Sequence, residues 1–153
     1  MNARKPMEPL SVEAEHLEIV RKAMTAVVNG GGTAVASKLP LDGIQMAGKT
    51  GTAQVFRLGE RGHQSNWALR DHALFIAFAP ADKPRYAIGC IIEHGGFGAS
   101  AAAPIVRDSM TYLFDRQKAL ETLLPLEEQW GGTLAERNER QLAAFKAASR
   151  SRA

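Results

Sequence analysis

The sequence predicts an α+β fold: an antiparallel meander of three strands flanked by helices. Three observations point there. Two apolar runs, HALFIAFA over 72–79 and RYAIGCIIE over 85–93, are joined only by the short turn Pro80-Ala-Asp-Lys-Pro84. A parallel crossover needs about a dozen residues or more, so these two strands are antiparallel. A threonine-rich segment over 47–56 supplies a third strand, and stretches of helical periodicity lie on both sides of the strands.

Each element has a local reason. Residues 1–10 read as loop, with Pro6 and Pro9 close together. Ser11 is the expected N-cap of a first helix, with Glu13 and Glu15 suited to the helix dipole. Leu17, Val20, Met24, Val27 and Val28 recur at helical spacing as its apolar stripe, and Asn29-Gly30-Gly31-Gly32 stops it. Residues 33–47 are irregular, broken by Pro40 and Asp42-Gly43, and residues 57–70 form a polar loop. Strands 72–79 and 85–93 are apolar at successive positions, which predicts a sheet covered on both faces. His94-Gly-Gly-Phe-Gly98 turns the chain into a helix over 101–118, with Pro104 in its first turn and Val106, Met110 and Leu113 on its buried side. Residues 119–132, with Pro125 and Gly131-Gly132, are expected to wrap the surface. Leu134 to Ala148 reads as a last helix with a thin apolar stripe of Leu134, Leu142 and Phe145. The organisation expected is thus a body over 1–118 and a surface segment with a basic tail, helical in part, over 119–153.

Composition bounds the function. The chain has 153 residues, 45% apolar and 23% charged, which is globular and neither collagen-like nor disordered. No apolar run reaches the length of a membrane span, and the N-terminus lacks the apolar core of a signal peptide. One cysteine, Cys90, excludes an internal disulfide and a multi-cysteine zinc site. It reads as a small buried hydrophobe. Residues 1–132 carry 14 Lys/Arg and 14 Asp/Glu, whereas 133–153 carry five and two. The net charge of +3 therefore sits in the tail, and no nucleic-acid-binding face is predicted. His63, His72 and His94 lack metal-ligand spacing, so no metal is expected. The glycines at 30–32 and 95–98 do not form a dinucleotide fingerprint, and no cofactor is expected.

The sharpest chemical signal is Ala47-Gly48-Lys49-Thr50-Gly51-Thr52-Ala53-Gln54-Val55 at the head of a strand. Lys-Thr-Gly is one of three motifs of serine acyltransferases that react with β-lactams. The strings VVNGGGTA (27–34), AGKTGTAQV (47–55), LRDHALFIAFAP (69–80), PRYAIG (84–89) and IIEHGGFGASAAAPIVRD (91–108) together resemble the end of the transpeptidase domain in the penicillin-binding protein 2 family. These are the class B D,D-transpeptidases of rod-shaped bacteria. The resemblance runs from about residue 8 to about residue 115; the tail beyond 119 lies outside it.

The resemblance implies that the motif strand forms one wall of an active site, against which a D-Ala-D-Ala stem peptide or a β-lactam lies as an added strand. It implies that Lys49 supplies positive charge and that Thr50 and Thr52 hydroxyls hold the terminal carboxylate. Gly51 lets the ligand approach, and the Thr52 N–H is an oxyanion-hole donor. It further implies penicillin binding, peptidoglycan cross-linking, a place on the periplasmic face of the inner membrane, and partnership with the membrane glycosyltransferase of the elongation complex. The nucleophile's Ser-x-x-Lys is absent: Ser11, Ser37, Ser65, Ser100, Ser109 and Ser149 are followed at +3 by Ala14, Pro40, Ala68, Ala103, Tyr112 and Arg152, and Ser151 lies too near the end. No Ser-x-Asn occurs either. The expectation is a portion of a transpeptidase that needs the remainder of its domain and is inactive alone. Two alternatives stay open: a serine β-lactamase or carboxypeptidase remnant, and a small non-catalytic module that binds a peptide or partner at a strand edge.

Overall fold

The computed structural model describes residues 11–55 and 67–150. Two compact units part between Arg107 and Asp108.

The first unit holds the sheet. Helix α1 (Ala14–Asn29) is followed by a 3-10 turn (Val35–Ser37) and strand β1 (Ala47–Ala53). A second 3-10 turn (Trp67–Leu69) leads to β2 (His72–Ala79) and β3 (Tyr86–Ile92). The strands form one antiparallel sheet in the order β1-β2-β3. The predicted fold class holds, and β2 has the predicted bounds. β1 is shorter than expected, ending at Ala53, and Phe56 lies outside the described residues.

Register assigns the faces, since residues directly opposite in an antiparallel pair share a side. Phe75 stands opposite Thr50 on β1 and Cys90 on β3; Ile76 stands opposite Lys49 and Gly89. On the Phe75 face, Ala73, Phe75, Ala77 and Ala79 are all buried. On the other face, Ile76 is 57% exposed and Ile91 is 65% exposed. Among the described residues one face of the sheet is covered and the other is open, so the second cover expected for these strands is not supplied by them. The continuous apolar run says that β2 suits burial on both sides, and it does not say which chain segment provides the cover.

α1 packs on β1. Its start differs from the sequence reading: the N-cap position is Glu13, without a side-chain cap bond, and Ser11 lies outside the helix. Only the C-terminal end of the predicted stripe is well covered. Val28 is fully buried, whereas Leu17 and Val20 are exposed at 42% and 54%. The periodicity identified the helix correctly; its first two turns are exposed among the described residues.

Helix α2 (Gly98–Phe114) begins three residues earlier than the sequence reading has it, so Pro104 falls inside the helix and not in its first turn. In the first unit its Ala102, Ala103 and Val106 are buried.

In the second unit, Met110 is buried as expected but Leu113 is exposed. The helix expected over 101–118 ends at Phe114. Asp115 then caps a separate helix α3 (Arg116–Gln129), its carboxylate accepting the Lys118 N–H at 3.0 Å. Residues 119–129 are thus helical, mostly exposed, and Pro125 is accommodated within α3. α4 (Leu134–Arg150) opens with a capping box. Glu136 Oε2 accepts the Thr133 N–H at 2.7 Å and the Thr133 hydroxyl at 3.0 Å, and the Glu136 N–H donates back to Thr133 Oγ1 at 3.3 Å.

Candidate functional site

Lys49, Thr50, Gly51 and Thr52 lie in one row on β1, an edge strand whose partner among the described residues is β2 alone. The two-residue period of a strand sends Lys49 and Gly51 to the open face and Thr50 and Thr52 to the Phe75 face. The four residues therefore do not converge as one cluster of side chains. They meet along the strand edge, with a cation on one side and hydroxyls on the other.

Two contacts organise this edge. The Lys49 ammonium donates to the Thr50 carbonyl at 2.7 Å. The Thr50 hydroxyl lies 3.1 Å from the hydroxyl of Thr33, which arrives from the loop after α1. Thr33 was not singled out in the sequence. The threonine is visible in the VVNGGGTA string, but its pairing with Thr50 depends on a tertiary approach.

The loop is built to make that approach. Asn29 Nδ2 donates to the Thr25 carbonyl and to the Met46 carbonyl, each at 2.9 Å, tying the end of α1 to the residue before β1. Gly31 has φ of 83°, in the left-handed region that glycine enters without strain. A β-carbon on Gly32 would lie 2.8 Å from the Val27 carbonyl oxygen, so no larger residue fits there without moving the helix. The Ala34 N–H then donates to the Val27 carbonyl at 3.1 Å, folding the loop back on α1.

Behind the motif, the first residue of α2 touches backbone. A β-carbon on Gly98 would lie 2.7 Å from the Gly51 carbonyl oxygen and 3.1 Å from its nitrogen. The glycine-rich turn from β3 to α2, predicted as a simple reversal, also seats the helix start against the motif glycine.

At the far end of β1, Ala53 stands opposite His72. His72 Nδ1 accepts the His94 N–H at 2.9 Å. The His94 Nδ1 proton goes to the Arg70 carbonyl at 3.1 Å, because a carbonyl can only accept. The two rings meet edge to face at 4.7 Å, and Trp67 lies against His94 at 4.4 Å. Both histidines thus have Nδ1 engaged in structural bonds. Among the described residues no group of three His, Cys, Asp or Glu could hold a metal, and His63 lies outside them. Cys90 is a free, half-buried cysteine in mid-strand.

Comparison with known proteins gives a consistent result. The family profile described as "Penicillin binding protein transpeptidase domain" matches residues 1–111. The peptidoglycan D,D-transpeptidase MrdA of Haemophilus influenzae is 36% identical over 104 residues, covering 65% of this chain and 16% of the relative. The MrdA of Acinetobacter baumannii is 46% identical over 87 residues, covering 54% of this chain and 12% of the relative. Among solved structures, PBP2 of Pseudomonas aeruginosa in complex with WCK 5153 aligns at a TM-score of 0.52 and 35% identity, over 69% of this chain and 20% of that one. PBP2 of Helicobacter pylori, solved in complex with MreC, aligns at a TM-score of 0.59 and 31% identity, over 76% and 21%. The chain thus spans only about a sixth of the length of the curated relatives it matches.

Proposed function

The chain belongs to the penicillin-binding protein transpeptidase domain family, and from that premise we propose that its β1 edge is the substrate-binding wall of a peptidoglycan D,D-transpeptidase. The observation that carries the reading is the Lys49-Thr50-Gly51-Thr52 row on an edge strand. An edge strand presents unpaired N–H and C=O groups, and an extended peptide can pair with them as a further strand. The ligand is a stem peptide ending in D-Ala-D-Ala, or a β-lactam that imitates it.

The roles follow from chemistry. The Lys49 ammonium lies near the strand edge, where it favours an anionic ligand and orients neighbouring hydroxyls. Its bond to the Thr50 carbonyl is consistent with that carbonyl facing the outer edge. Peptide groups two residues apart turn to the same edge, so the Thr52 N–H then faces outward too. There it donates to the oxygen that becomes negative when a serine attacks the substrate carbonyl. One such donor is worth about 100- to 1000-fold in rate. Thr50 and Thr52 hydroxyls hold the terminal carboxylate, and Gly51 keeps the strand low between them.

The reaction is serine acyl transfer, and these 153 residues contain no Ser-x-x-Lys. The activated serine belongs to the remainder of the domain, and this polypeptide alone forms no acyl-enzyme. The open sheet face with Ile76 and Ile91 and the outer edge of β3 are the surfaces on which that remainder would pack. The same reading gives a working place on the periplasmic face of the inner membrane. It also gives a partner in the membrane glycosyltransferase of the elongation complex. No helix among the described residues is long and apolar enough to cross a membrane.

The test joins this chain to the preceding portion of a MrdA relative, which supplies the serine. The fusion is expected to be labelled by fluorescent penicillin and Lys49→Ala to abolish the labelling, while the chain alone stays unlabelled. A folded fusion that takes no label, or serine-linked labelling of the chain alone, refutes the reading.

A further inference from the structure

We infer that Thr33 is a positioning residue of the carboxylate site: its hydroxyl donates to Thr50 Oγ1 and so fixes the rotamer that aims the Thr50 proton at the ligand. The inference rests on the reading of β1 as the substrate wall. It adds a residue outside the Lys-Thr-Gly motif and outside β1.

The geometry is a two-hydroxyl contact at 3.1 Å. Each threonine hydroxyl has one proton and two lone pairs, so one must donate and the other accept. If Thr50 donates to Thr33, its proton is consumed and it offers a carboxylate only lone pairs, which repel the anion. If Thr33 donates, Thr50 keeps its proton for an ionised carboxylate, which can only accept. An anionic ligand therefore selects the second arrangement. The chain of bonds runs Thr33 to Thr50 to carboxylate, and each bond polarises the next.

The surrounding structure holds Thr33 in place for this. Asn29 ties α1 to Met46 just before β1. Gly31 and Gly32 make a reversal that larger residues cannot make, and Ala34 bonds back to Val27. Thr33 is left exposed at the tip, while Thr50 is half-buried. A loop that served only to connect α1 to β1 would not need a hydroxyl at this point.

The experiment titrates the fusion of this chain to the preceding portion of a MrdA relative, its nucleophilic serine replaced by alanine, with N-acetyl-Lys-D-Ala-D-Ala and with its C-terminal amide, followed by amide chemical shifts of β1. Wild type is expected to prefer the free acid. In Thr33→Val the affinity for the acid falls by about three- to tenfold, the range of one net hydrogen bond; the affinity for the amide is unchanged, and Thr33→Ser restores the acid. A second measurement needs no ligand: three-bond couplings report a single Thr50 χ1 rotamer in wild type and an averaged one in Thr33→Val. Unchanged acid affinity in Thr33→Val, or an unchanged Thr50 rotamer, overturns the inference alone. A wild type that binds neither peptide, or both equally, overturns the substrate-wall reading and the inference with it.

Discussion

Replacing Gly98 by alanine should loosen the motif strand from behind. A β-carbon at 98 lies 2.7 Å from the Gly51 carbonyl oxygen and 3.1 Å from the Gly51 nitrogen, and the Leu74 carbonyl oxygen is nearer still. All three are backbone atoms of paired strands, so no side chain can rotate away. Clearing the Gly51 carbonyl oxygen to ordinary contact at 3.4 Å takes a shift of about 0.7 Å, and clearing the nearer Leu74 oxygen takes more, either by the start of α2 or by β1 and β2. Overpacking of this kind costs about 1–3 kcal/mol. Gly89 is the internal control: a β-carbon there meets only Ile76 Cγ2 at 3.9 Å. Gly89→Ala should gain about 0.4–1 kcal/mol, because alanine restricts the unfolded chain more than glycine does. The assay is urea unfolding of the three proteins, with the midpoint shift read at constant slope. The amide signals of Gly51 and Thr52 should move in Gly98→Ala and stay in place in Gly89→Ala. If Gly98→Ala unfolds at the same midpoint as Gly89→Ala, the close seating of α2 on the motif strand is wrong.

Three further outcomes are expected. Phe75 is fully buried under the covered face, so Phe75→Ala should cost about 3–5 kcal/mol in the same urea assay. The Asp115 carboxylate caps the first turn of α3; Asp115→Ala should cost about 1 kcal/mol of α3 stability, read as lost protection of the Lys118 amide in hydrogen exchange. The Glu136 carboxyl is held below its ordinary value of 4.5, first by the Thr133 N–H, then by the Thr133 hydroxyl, with Arg140 assisting. A lowered folded-state value means that the stabilisation is present above the unfolded value and lost as pH falls through the folded one. Circular dichroism should therefore show wild type more helical than Glu136→Gln at pH 7, with the difference closing below pH 4.5; a difference that persists in acid refutes the capping box.

The parts of the fold that were legible in the sequence are those fixed by short-range constraint. The turn at Pro80–Pro84 leaves β2 and β3 no option but an antiparallel pairing, and both were placed to within a residue. The Lys-Thr-Gly row was legible because its residues adjoin in sequence. Helix ends were harder. Ser11 is a better capping residue than Glu13 by propensity, yet the helix starts after Glu13 and without a side-chain cap bond. Pro125 suggested a loop, but Asp115 offers a strong cap ten residues earlier, and the helix it starts runs on past the proline. The Thr133–Glu136 box matches the sequence form of a capping box and could have been read in advance. Thr33 could not, since nothing local to VVNGGGTA says which strand its hydroxyl meets.

The open sheet face has a bearing on how any Lys49 variant is interpreted. Lys49 stands directly opposite Ile76, and Ile91 lies on the same exposed surface. A charge set beside exposed isoleucines acts as a gatekeeper, keeping two such faces from stacking. Neutralising it removes the ammonium from the proposed ligand edge and, in the same step, the electrostatic deterrent to self-association. Lost binding in Lys49→Ala thus has two sources, one linear in ligand and one dependent on protein concentration. Dilution separates them: the first survives at the lowest concentration and the second vanishes.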